Sequence, residues 1–145
     1  MSRSGSWVEL LKTWTGKLGR AFQLMLGTVF ILAILYHAFG PISAEEKQRL
    51  EDGKVDVQME LLTNIPNAET RLQIQGNNLE VYITVNAFEA IPYPDRKDFV
   101  ARIGRVWCGK AHGIGFSPSL RIRDIRTGKS LGGYGCLSRE PSLTQ

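Results

Sequence analysis

Residues 21–39, AFQLMLGTVFILAILYHAF, contain no Lys, Arg, Asp or Glu. At 1.5 Å per residue such a run extends about 28 Å as a helix, close to the roughly 30 Å of a bilayer's hydrocarbon core. A helix that is apolar on every side needs either a large protein core or lipid around it. A chain of 145 residues has room for one small domain beyond this segment, too little to enclose it. A single transmembrane helix over 21–39 is therefore expected.

The flanking charges orient it. Residues 1–20 carry Arg3, Lys12, Lys17 and Arg20 against Glu9 alone, whereas Glu45, Glu46, Glu51 and Asp52 follow on the other side. Lys and Arg are retained on the cytoplasmic side, so the N-terminus is expected inside and the C-terminal domain outside. In a bacterium this means the inner membrane and the periplasm. Residues 1–20 also form an amphipathic segment: Ser6 to Glu9 fits a capping box, and Trp7, Leu11, Trp14 and Leu18 recur at helical spacing. Trp7 and Trp14, with Tyr36 and His37 at the far end of the span, suit the two membrane interfaces. A cleaved leader has no need of such a helix. Although Ala44 would serve as a cleavage point, an uncleaved signal anchor is expected.

The exported part, 44–139, reads as an α+β domain: a small antiparallel sheet with one packed helix. Ser43 to Glu46 is a second capping box, opening a short polar helix that Asp52-Gly53 is expected to end. Residues 54–62 satisfy both periods, with the strict alternation of Val55, Val57, Met59 and Leu61 favouring a strand. RLQIQ and LEVYITV alternate around Gly76-Asn77-Asn78, a hairpin. Asp95 would cap a helix to about Trp107, with Phe99, Ile103, Val106 and Trp107 facing the core and Arg96, Lys97 and Arg105 facing out. LRIRDIR, Thr127-Gly128-Lys129 and SLGGYGCL form a second hairpin, and 140–145 a flexible tail. This order of elements is similar in shape to BON-like domains, without any motif of that family.

Cys108 and Cys136 are the only cysteines. In an oxidising compartment, with one at a helix end and the other in a nearby strand, they are expected to form a disulfide. Cys108 with His112 as a catalytic pair lacks an orienting third group. A zinc site lacks ligands, since His112 is the one exported histidine and four are needed. TGKS at 127–130 has Arg123 where a phosphate-binding loop requires glycine. No catalytic residue, metal or cofactor is therefore expected, and the chain does not read as an enzyme.

Charge is unevenly laid out. Residues 44–95 hold ten acidic and four basic side chains, net −6, and residues 96–139 hold ten basic and two acidic, net +8. Either the halves pair internally, or Arg96, Lys97, Arg102, Arg105, Arg121, Arg123 and Arg126 form a basic interaction surface for an acidic partner. No aromatics interleave with the arginines, which argues against nucleic acid. The expected function is that of a single-pass, membrane-anchored periplasmic interaction domain. It would be a structural or accessory subunit of a cell-envelope complex for secretion or conjugation, division or respiration, with self-association left open. The alternative is a periplasmic ligand-binding or sensing module with a groove near His112, Gly113, Gly115 and Phe116.

Overall fold

The computed structural model describes Gly19 and residues 22–36 and 40–144. Met1–Gly40 and Pro41–Gln145 are two separate units. In the first, residues 22–36 form a helix, α1, whose large apolar side chains from Phe22 to Tyr36 are exposed. Among the described residues no helix is long and apolar enough to cross a membrane. Positions 21 and 37–39, which would complete the expected span, lie outside the described residues, as do Trp7, Trp14 and His37.

The second unit is an α+β domain. Helix α2 spans Ala44–Asn64, and Ser43 caps it as expected: its hydroxyl accepts from the Glu46 N–H, and the Glu46 carboxylate accepts from the Ser43 N–H. Contrary to expectation, α2 does not stop at Asp52-Gly53, and residues 54–62 are helix rather than strand. Two forces override the glycine. Gln58, Met59, Glu60 and Leu61 all favour helix. Gly53 is also buried against the next long helix, where a Cβ would lie 2.9 Å from Lys110 Cβ and 3.3 Å from Trp107 Cε3. Its missing side chain is what lets the helices touch. Of the alternating apolar residues, Val57 and Leu61 are buried with Leu50, while Val55 and Met59 are exposed. The 3.6-residue period has prevailed over the period of two.

Strands β1 (Thr70–Gln75) and β2 (Asn78–Ile83) form the expected hairpin through Gly76-Asn77. Gly76 takes φ +62°, open to glycine at little cost. A short α3 (Val85–Glu89) leads into α4 (Tyr93–Ala111). Helix α4 begins before Asp95, which sits in its first turn, and continues past Trp107 to Ala111.

Strands β3 (Ser119–Asp124), β4 (Ser130–Gly135) and β5 (Pro141–Leu143) follow, and the sheet order is β1-β2-β3-β4-β5. The sheet is mixed rather than antiparallel, because β2 and β3 run parallel. Helix α4 explains this. Nineteen helical residues climb about 28 Å, enough to carry the chain back past a strand of roughly 20 Å. Two long helices cover the sheet, not one. The expected loose tail instead pairs with β4 as β5.

The core lies between these helices and one face of the sheet. Leu79, Val81 and Ile83 of β2 and Leu120 and Ile122 of β3 meet Val100, Ile103 and Trp107 of α4 and Val57 and Leu61 of α2, all of them inaccessible to solvent. As expected, Arg121 and Arg123 alternate with Leu120 and Ile122 toward the opposite face. The β3–β4 turn is held by buried Asp124, whose carboxylate accepts from the Thr127 hydroxyl and from the backbone N–H groups of Thr127 and Arg126. The Thr127 hydroxyl above all, then these backbone donors, holds this carboxyl below the usual carboxylate range against the opposing effect of burial.

Two outcomes follow from this packing. Gly104→Ala drives a Cβ into the ring carbons of Tyr134, 2.6 Å from Cδ1, and should destabilise the domain by about 1–3 kcal/mol or more. Gly109→Ala on the same helix meets no atom within 4 Å and should gain about 0.5–1 kcal/mol from helix propensity; thermal melts compare the two. The depressed Asp124 carboxyl stabilises the fold in full above the unfolded value near about 3.9, and that stability is lost as pH falls through the folded value. Thr127→Val should therefore weaken the domain at neutral pH, with the difference from wild type shrinking in acid, as urea melts across that range will register.

Candidate functional site

Cys108 and Cys136 are bonded, with Cα atoms 5.3 Å apart and 28 positions between them in sequence. The sulfur of Cys108 is thus committed and is no nucleophile for His112 to activate. The bond joins the last turns of α4 to the residue after β4, beside the contact of Gly104 with Tyr134. Among the described residues no group of three or more His, Cys, Asp or Glu is placed to hold a metal.

The seven basic residues expected to share a surface are divided by the sheet. Arg121 and Arg123 lie on the face away from the helices. Arg126 is exposed in the β3–β4 turn. The others belong to α4, on the opposite side. Arg96 is spent on structure: Nε donates to the Ile91 carbonyl and Nη2 to that of Glu89, and its guanidinium lies 5.7 Å from the ring centroids of Phe88 and Tyr93. Arg102 bonds the Asn64 side-chain oxygen at 2.7 Å. Lys97 and Arg105 are exposed. These are several surfaces rather than one.

The most organised of them is the open face of the sheet. Register aligns Arg71 with Tyr82, Gln73 with Glu80, Glu80 with Arg121 and Tyr82 with Arg123. Side chains two apart share a face, so these groups meet across three strands. Glu80 sits at the centre, only 5% exposed although no helix covers it. Its carboxylate accepts from the Tyr82 hydroxyl at 2.7 Å and faces Arg123 Nε at 3.0 Å and Arg121 Nη1 at 4.0 Å. The Arg123 Nε geometry is that of a charge contact rather than a directed hydrogen bond, and Nη1 donates to the Gly128 carbonyl. Arg71 completes the row, its guanidinium 4.5 Å from the Tyr82 ring centroid. The hydrogen bond to Glu80, then burial and the nearby negative charge, raises the Tyr82 phenol above its ordinary value. Three guanidinium groups in one row with a single carboxylate, two of them beside it and one over Tyr82, leave this face net positive.

Glu80, Tyr82 and Arg71 were missed in the sequence. Their signal was nonetheless present: in RLQIQ and LEVYITV these three are among the residues out of phase with Leu72, Ile74, Leu79 and Val81. What the sequence lacked was the register that sets β2 beside β3.

The alternative groove near His112, Gly113, Gly115 and Phe116 is present only in part. His112 lines a cleft of about 440 Å³ beside the disulfide, and the other three residues do not. No family model, curated protein or solved structure matches the chain.

The disulfide closes a long loop and should stabilise the domain by about 3–4 kcal/mol in the chain-entropy model. The Cys108→Ser/Cys136→Ser variant is expected to melt more than about 10 °C below wild type. Unreduced wild type should take up no thiol label; labelling before reduction would show that the bond does not form in the cell.

Proposed function

We propose that this chain is an interaction subunit tethered to a membrane by residues 21–39. Its C-terminal domain would dock an acidic partner in a cell-envelope complex through the open face of its sheet. The observation that carries this reading is the row formed by Arg121 and Arg123 beside Glu80 and Arg71 over Tyr82, on the one broad face that no helix covers. An arginine face of this kind steers association and sets orientation, since its guanidinium groups match carboxylates in pairs. Glu80 holds the row in place, so little ordering remains to be done on binding.

The tether is supported by the all-round apolar exposure of residues 22–36, a surface that water does not accommodate. The lysines and arginines of residues 1–20 favour an N-terminus inside and a periplasmic domain. Retention of the segment is supported by the Ser43–Glu46 capping box. Cleavage after Ala44 would remove the cap, at a cost of about 1 kcal/mol to α2. Nothing in this arrangement calls for catalysis, and we read the protein as a binding component rather than an enzyme.

The test is Arg71→Gln with Arg121→Gln. Arg71 is exposed, and the Arg121 side chain is more than half exposed and stands 4.0 Å from Glu80. Such charges contribute roughly 0–1 kcal/mol each to stability. The variant should melt close to wild type, keep its disulfide, and leave the native complex on blue-native gels of solubilised membranes. A folded variant that still migrates with every partner would place docking elsewhere. Mass spectrometry of the purified protein checks the tether: a mature N-terminus at Glu45 would sink it.

A further inference from the structure

We infer that the cleft beside the Cys108–Cys136 disulfide is a binding site for a phosphate-bearing anion, independent of the docking face and on the helical side of the sheet. Its walls come from three parts of the chain that meet only in the folded domain. Arg49 belongs to α2, Arg105 to α4, and Arg139 to the loop after β4. No carboxylate lines the cleft. Arg105 and Arg139 have no ion-pair partner among the described residues, whereas Arg121 and Arg123 face Glu80 and Arg96 and Arg102 donate to oxygens of neighbouring elements.

One of the three arginines is fixed in place by the fold. Arg49 is held by its Nη2, which donates to the carbonyls of Lys110 at 2.9 Å and His112 at 3.1 Å. This satisfies the end of α4 and leaves Nε and Nη1 without a partner among the described residues. On α4, Arg105, Cys108 and Gly109 fall on one stripe by their three- and four-residue spacing, and His112 follows at the helix's C-cap. Gly109 makes the floor, and a Cβ built there meets nothing within 4 Å, so the space above it belongs to the cleft. Tyr134 also lines the cleft, and its hydroxyl, which makes no hydrogen bond within the described residues, is open there to donate to an anion's oxygen.

Three guanidinium groups and a tyrosine hydroxyl suit a group with several oxygens and more than one negative charge. Phosphate fits this better than a lone carboxylate, because Arg pairs with it through two N–H groups at once. At about 440 Å³ the cleft takes more than a bare phosphate and falls in the range of sites for small organic ligands. A phosphate ester, soluble or as a lipid headgroup, is the class it accepts.

Isothermal titration of the full chain in a non-ionic maltoside detergent, with sodium pyrophosphate at constant ionic strength, tests this. Saturable binding at one site is expected. Affinity should fall by at least about tenfold in Arg105→Gln/Arg139→Gln, and equally in Gly109→Leu, whose side chain starts from an unobstructed Cβ and occupies the floor. Lys47→Gln/Lys129→Gln removes the same net charge from elsewhere and should bind as wild type does. Displacement of pyrophosphate by glycerol 3-phosphate identifies a soluble ester as the ligand source, and displacement by micelles doped with phosphatidylglycerol identifies a headgroup. Absence of saturable binding below about 10 mM, or full affinity in either cleft variant, overturns the proposal.

Discussion

Helix α4 and strand β4 are locked in step. Val100, Gly104 and Cys108 stand four residues apart on the helix, and Gly132, Tyr134 and Cys136 stand two apart on the strand. Four helical residues rise about 6 Å and two strand residues about 6.7 Å, so the positions meet as three successive rungs. The first sets Val100 near Gly132, where a Cβ would lie 3.6 Å from Val100 Cγ2. In the second, Tyr134 fills the space that Gly104 leaves. The third is covalent. The rungs fix the helix's distance from the sheet and its position along the strand, and much of the remaining architecture follows. With α4 so placed, Trp107 and Lys110 meet α2 at Gly53, and α2 closes the core.

Covering one face with two helices leaves the other without cover, and a sheet whose pairs are mostly antiparallel accepts that if the face is polar. Here the polar face is organised around a carboxylate that is almost inaccessible. An ion pair so placed is weak evidence for stability, because desolvation offsets the attraction; losing one partner is what costs, about 3–5 kcal/mol. Its better-attested use is to specify arrangement. Glu80 fixes the register of β2 against β3, since a slip of one residue would turn it into the core and Val81 into water.

Much of the fold was legible because its signals are local. Both hairpins, the facing of Leu120 and Ile122, the Ser43 cap and the Cys108–Cys136 pair all stand in the sequence as alternation, turn residues or a lone pair of cysteines. The failures share one cause: each depended on what a residue meets in space. Asp52-Gly53 reads as a stop until Trp107 and Lys110 occupy the place of the missing side chain. Residues 141–143 read as tail until β4 offers an edge. The parallel pairing of β2 and β3 follows from the full length of α4, which was read short by about one turn. The basic surface was read as one because a list of arginines carries no sidedness, and the sheet separates Arg121 from Arg105.

The same sidedness accounts for the acidic and basic halves of the sequence. Parallel pairing brings the last acidic strand beside the first basic one, so Glu80 meets Arg121 and Arg123, and helix packing brings Asp56 within 3.4 Å of Lys110. Internal pairing is therefore real, but it does not exhaust the charge. Of the α2 carboxylates, Glu51 pairs with Lys54 and Asp52 accepts from Gln48 on the same helix, and none of them lines the cleft. Arg105 and Arg139 line that cleft together, with no carboxylate in its walls. Like charges held together in a fold are unfavourable, and a small anion is what relieves them. The domain thus keeps two kinds of positive charge: arginines ordered by Glu80 on an open face, and arginines in a cleft with no counter-charge of their own.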